Sequence, residues 1–129
     1  MAQVQVEITT FGYLHDTPPA DAHLVADLRR HFRDPHRDPR MRYLTAHDVE
    51  VRERVMATPG IAALVDALEA ATAAYLAGPV TAPVRLAVGC AGGRHRAAVV
   101  GAELQQRVRA RGIEVELVHR DLGKDVVHR

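Results

Sequence analysis

The chain reads as an α/β fold: a single domain over residues 1–129, with an open sheet of about four strands flanked by helices. Three stretches predict it. Val4, Val6 and Ile8 alternate with Gln5, Glu7 and Thr9, the period of two that marks a strand with one face better buried. An apolar run at 84–89 passes into the glycine-rich turn Cys90-Ala91-Gly92-Gly93, which opens a helix at 95–111 carrying Val100, Leu104 and Val108 on one stripe. Gly112 ends that helix, and 113–118 resumes the strand pattern, so residues 84–111 form a strand-loop-helix unit returning to a sheet. A chain of 129 residues suits one domain, which buries roughly two thirds of the surface of its extended form.

The remaining elements follow in order. The first strand ends near Phe11-Gly12, and Asp16-Thr17-Pro18-Pro19 is a turn. Residues 23–30 suit a helix or a strand equally by propensity. Between Phe32 and Arg42, Asp34-Pro35 and Asp38-Pro39 push the residue before each proline toward extended geometry, which predicts a loop. Thr45 is placed to cap a short helix running to Met56, with Asp48 three residues on. Pro59 is expected in the first turn of a second helix to about residue 77, where Ile61, Leu64, Val65, Leu68 and Ala71 recur at spacings of three and four. Gly78-Pro79 stops it.

Composition narrows the function classes. Seventeen basic against sixteen acidic residues leave a formal charge of +1, so any attraction to nucleic acid must be local. A single cysteine excludes an intramolecular disulfide and suits a reducing compartment. No apolar stretch reaches the roughly 18 residues of a membrane span, and the first residues do not have the pattern of an export signal, so a cytoplasmic protein without membrane contact is expected. No His or Cys pair has the spacing of a zinc site, and neither a metal nor a cofactor is expected.

The loop after the 84–89 strand carries the chemistry. Glycines let backbone N–H groups approach an oxyanion, the following helix adds positive potential, and Arg94, His95 and Arg96 add charge and directed donors, a combination that suits phosphate. In open α/β sheets ligands collect beyond the carboxyl ends of strands. Three such ends carry polar groups here: 10–15, 90–96 and His119-Arg120-Asp121. Their convergence would make an anion pocket from His15, His95, Arg96, His119 and Arg120.

The same loop fits a second chemistry. Cys90, Gly93 and Arg96 match Cys-x-x-Gly-x-x-Arg, the pattern of cysteine-dependent phosphatases, in which a thiolate at a helix N-terminus attacks phosphorus while an arginine holds the oxygens. Ala97 stands where those enzymes carry Ser or Thr, and Gly89 where they carry His, and the general acid would be Asp121 or Asp16.

Phe11-Gly12-Tyr13-Leu14-His15, Ala26-Asp27-Leu28-Arg29, Arg42-Tyr43-Leu44-Thr45, Gly89 to Arg96 and His119-Arg120-Asp121-Leu122 occur in the order and approximate spacing of the C-terminal domain of the RNase adapter protein family RapZ, which nearly the whole chain resembles. The resemblance implies an α/β domain similar to part of phosphofructokinase, which senses glucosamine-6-phosphate, binds small RNA, presents it to an endoribonuclease and forms homo-oligomers. It implies that 23–29 is the second strand, ending with Asp27 and Arg29 near the pocket. It further implies that Cys90, Ala91, Gly92 and Gly93 wrap a phosphate, that His95 and Arg96 are its side-chain donors, that Asp27 and Arg29 face the sugar, and that His15, His119 and Arg120 complete the wall. Departures accompany the match. Ala91 and Ala97 replace a Thr and a Ser of the family loop, and His36 lies one residue late relative to the family's histidine. No Gly-x-x-x-x-Gly-Lys-Ser/Thr pattern exists, so the expectation is a stand-alone sensor that does not hydrolyse nucleotides.

RNA binding has one further route. The family's basic tail is replaced by 121–129, where Asp121 and Asp125 offset Lys124 and Arg129, and lost phosphate contacts weaken RNA affinity steeply. Residues 29–42 carry six arginines and two histidines against Asp34 and Asp38, so Arg33, Arg37 and Arg40 are the candidates for a basic RNA-binding face. The expectation is thus a binding module for a phosphorylated small molecule, an amino-sugar phosphate or a nucleotide, that regulates an RNA or protein partner.

Overall fold

The computed structural model describes residues 3–128. The alternating N-terminal run becomes β1, Val6–Gly12, and the ambiguous segment becomes β2, Leu24–Asp27. The loop at 32–42 holds one 3-10 turn, Pro35–Arg37. Asp34 takes the extended backbone a pre-proline residue prefers, and its carboxylate accepts the His36 N–H at 2.9 Å, closing the turn.

Three helices follow the predicted pattern, with two starts displaced. α1 is Val49–Met56 and begins after Asp48, not after Thr45. Asp48 turns its carboxylate back to the Thr45 N–H at 2.8 Å, and Thr45 in turn accepts from the His47 N–H at 3.2 Å, so these two residues shape the entry turn instead of capping the helix. α2 is Ile61–Leu76, and Pro59 lies outside it. Gly60 precedes the helix at φ 93°, a left-handed backbone that turns the chain away from Pro59 before the helix begins. α3 is Arg96–Ala110, followed by Gly112 at φ 81°. It lies between β3, Val84–Cys90, and β4, Val115–His119.

The sheet is wholly parallel in the order β2-β3-β1-β4, with β3 and β1 central. Register aligns Ile8 with Leu86 and Leu117, and Leu86 with Leu24. These residues face one core with Val51, Val55, Ile61, Val65, Val100, Leu104 and Val108 of the helices. The helices therefore share one sheet face, and β-branched and aliphatic residues fill the layer between. The opposite face carries buried Phe11 and Ala87 beside half-exposed Val25 and Val118. Gly101 lets α3 cross β1 closely, since a Cβ there would lie 2.3 Å from Thr10 Cγ2. Among the described residues no single helix is long and apolar enough to cross a membrane.

Candidate functional site

Parallel strands bring all four carboxyl ends to one edge, and there three of the polar ends interlock. A Cβ on Gly12 would lie 2.4 Å from the Gly92 carbonyl carbon, so β1 and the glycine loop meet backbone to backbone. The Tyr13 N–H donates to Cys90 O at 2.9 Å and the Leu14 N–H to Ala91 O at 3.0 Å. From β4, Asp121 accepts the Gly12 N–H at 2.8 Å, and His119 Nδ1 lies 2.7 Å from Thr10 Oγ1. Asp121 is fully buried, which by itself raises its pKa. Hydrogen bonds from Arg120, the Gly12 N–H and Lys124 outweigh that and bring it to about 2. Arg120 also donates to Thr17 O and Asp16 O and lies over the Phe11 ring.

Arg96 is buried at the start of α3, and its guanidinium reaches beneath the β2 end. It donates to Leu28 O at 2.8 Å, Arg29 O at 3.2 Å and Phe32 O at 2.9 Å, and pairs with Asp34 at 3.1 Å. One side chain thereby shapes the whole entry to the arginine-rich segment. Its neighbours are similarly engaged. Arg94 bridges Tyr43 O at 3.0 Å and Lys124 O at 2.9 Å, and His95 Nε2 lies 2.8 Å from Leu44 O. Burial lowers the pKa of His95, partly opposed by that carbonyl and by Asp34. Burial, then His47, lowers that of His119. At the β2 end, Arg29 forks onto Asp27, lowering the Asp27 pKa, and its guanidinium stacks 3.6 Å above the Tyr13 ring.

The thiol is nearly inaccessible. Cys90 is 2% exposed, and its sulfur accepts the Gly93 N–H at 3.3 Å and the Ala97 N–H at 3.4 Å. Gly89, in place of the phosphatase histidine, leaves room for Phe11, whose ring would stand 2.4 Å from a Cβ. Of the two acids considered for phosphatase chemistry, Asp121 is buried and held below the ordinary carboxylate range by Arg120, the Gly12 N–H and Lys124.

Open space lies beside the loop. A cavity of about 910 Å³ is lined by Arg29, Arg30, His31, Phe32, Arg33, Asp34, His36, Arg37, Arg42 and His128. A crevice of about 10 Å³ follows, lined by Asp34, His36, Cys90, Gly92, Arg94, His95, Val126 and Val127. Asp34 and His36 line both. Of the predicted ligand residues, Arg29 borders the cavity and Cys90, Gly92, Arg94 and His95 the crevice, while His15, Asp27, Ala91, Gly93, Arg96, His119 and Arg120 border neither. Arg33 and Arg37 are on the cavity wall, whereas exposed Arg40 pairs with Asp38. Among the described residues Arg30, Arg33 and Arg37 form no ion pair, so the cavity keeps a positive balance.

A family model described as the RapZ C-terminal domain matches residues 4–123. The chain belongs to that family. Similar proteins, each called a nucleotide-binding protein, occur in Thermobifida fusca (strain YX), at 36% identity over 126 residues, and in Parafrankia sp. (strain EAN1pec), at 39% over 126 residues. Another, in Clavibacter michiganensis subsp. michiganensis (strain NCPPB 382), is 39% identical over 128 residues. The matches cover 95%, 95% and 96% of this chain but only 42%, 43% and 43% of those proteins, so it spans less than half their length.

Sequence reasoning missed Asp34, Phe32 and the Val126-Val127 pair as walls of these two spaces. Asp34 had a readable signal, since an acid before proline in a run of arginines is placed to hold one of them. The valines had none, because nothing local says which groove an apolar pair will cover. Arg129, counted in the tail charge, lies outside the described residues.

Proposed function

We propose that this domain binds a phosphorylated small molecule, a nucleotide or an amino-sugar phosphate such as glucosamine-6-phosphate, and regulates an RNA or protein partner in the cytoplasm. The phosphate end is the glycine loop, Cys90 to Gly93 with Arg94 and His95. The remainder of the ligand lies along Arg29, Arg33, Arg37 and Arg42. Arg96 positions both parts by holding the β2 end and Asp34. The observation that carries this reading is the shared wall of the two spaces: Asp34 and His36 line both the glycine-loop crevice and the basic cavity of about 910 Å³, which has the size of a small-molecule site. Unpaired arginines there supply forked donors to phosphate oxygens. Family membership and the relatives' name, nucleotide-binding protein, support the ligand class.

Calorimetry with glucosamine-6-phosphate and with nucleotides tests it. Binding is expected, weakened at least tenfold in Arg33→Ala/Arg37→Ala. Absence of heat with every phosphorylated compound would refute the reading. Self-association belongs to the same proposal, with half-exposed Val25 and Val118 on the sheet face opposite the helices as its apolar contacts, and sedimentation velocity decides it.

RNA is the second reading, favoured by the free charge of Arg30, Arg33 and Arg37 along one segment. It predicts binding whose salt dependence shrinks when Arg33, Arg37 and Arg40 are replaced, whether or not a small ligand is present.

A further inference from the structure

We propose that residues 124–128 form a strap that closes the glycine-loop crevice, and that a phosphorylated ligand enters by lifting it. The inference rests on the loop being the phosphate end of the site. Val126 and Val127, both half-buried, line the crevice with Cys90 and Gly92. The volume left, about 10 Å³, accommodates about one water molecule, whereas a phosphate group with its four oxygens needs several times that. Entry therefore requires a wall to move. The β3 end and the start of α3 are part of the core, and Asp34 is held by Arg96, so the strap is the weakest wall.

Its attachments agree. Residues 125–128 have no regular secondary structure, and Lys124, Asp125 and His128 are exposed. Among the described residues polar tethers gather at Lys124: its N–H on Asp121 O at 3.1 Å, its Nζ on Asp121 Oδ1 at 2.6 Å, and its carbonyl on Arg94 Nη1 at 2.9 Å. A segment without regular secondary structure and with exposed residues at both ends opens at small free-energy cost. One tether also belongs to the site, since a phosphate that recruits Arg94 takes a donor from Lys124 O. Ligand and strap thus compete for one guanidinium, and lifting the strap also withdraws His128 from the cavity wall. The family match ends at Gly123, so the strap lies beyond it.

A closed strap lowers apparent affinity by the fraction of molecules that are open, so loosening it tightens binding. Glucosamine-6-phosphate is titrated by calorimetry into wild type, Val126→Ser/Val127→Ser and a chain ending at Gly123, and amide exchange at 125–128 is followed in wild type with and without the sugar phosphate. Binding on the order of tenfold tighter in the variants, together with faster exchange at 125–128 when wild type is saturated, is the expected result. Equal affinities with unchanged exchange would overturn the strap while leaving the binding site intact. Absence of binding to wild type and variants alike would remove the phosphate reading and the strap with it. Should the variants not fold, exchange in wild type decides: slower exchange at 125–128 on binding refutes lifting.

Discussion

The guanidinium of Arg96 lies 3.1 Å from the carboxylate of Asp34, with Arg96 2% and Asp34 11% exposed, and the same guanidinium holds three carbonyls of the segment between β2 and the 3-10 turn. This pair joins the helix that follows the glycine loop to the arginine-rich wall of the cavity. Removing one partner of a buried pair leaves the other inadequately compensated, so Arg96→Ala is expected to cost about 3–5 kcal/mol. Urea denaturation followed by circular dichroism measures it. Arg96→Lys should recover only part of the loss, because an ammonium does not reproduce the planar fork that spans these oxygens. Full stability in Arg96→Ala would contradict the structural role.

Asp121 makes folding sensitive to acid. Its folded pKa of about 2 lies below the ordinary 3.8, so its stabilisation is complete above pH 3.8 and is lost as pH falls through that value toward 2. The difference is worth about 2 kcal/mol. Asp121→Asn should be less stable than wild type at pH 7, and the gap should narrow between pH 4 and pH 2. Denaturant midpoints of both proteins over that range check it.

His95 and His119 act in a higher window. Both folded values lie below 6.5, so the folded chain resists protonation that the unfolded chain accepts, and stability is full above pH 6.5 and declines as pH falls through the lowered values. His119→Asn, which keeps a polar atom near Thr10 Oγ1 but does not titrate, should flatten part of that decline. Thermal midpoints from pH 7.5 to 5 and histidine ring-proton titrations by NMR would reveal the difference.

Gly12 and Gly101 are required by close approach. Gly12→Ala would drive a methyl into the Gly92 backbone, and Gly101→Ala would drive one into Thr10 at the crossing of α3 and β1. Each is expected to destabilise by about 1–3 kcal/mol, as overpacking of a tight core does. On the proposed function, Gly12→Ala should in addition displace the glycine loop and weaken binding of glucosamine-6-phosphate. Gly123→Ala, with open space around its Cβ, is the control and should be neutral by chemical denaturation.

Much of this protein was legible from residue order. Alternation at Val6 and Ile8, the apolar run into Gly89-Cys90, and the stripe of Val100, Leu104 and Val108 express local periodicities that survive folding because one core buries them all. Where propensities balanced, as at Leu24–Asp27, only pairing with β3 made the segment a strand. The helix starts shifted for local reasons: a carboxylate at Asp48 turned backward, and Gly60 took a left-handed backbone ahead of the helix.

The glycine loop could be found by sequence, but what its charged groups touch could not. A row of arginines states how much positive charge is present, and only the packed chain assigns each guanidinium its oxygens. Arg96 turned inward to carbonyls brought from far along the chain, Arg94 caught the strap, and Arg33 and Arg37 remained on the cavity wall. Local periodicity follows from interactions within a few residues, whereas a strand pairing, an ion pair or a covered groove depends on which distant segments meet, a matter decided by the tertiary fold alone.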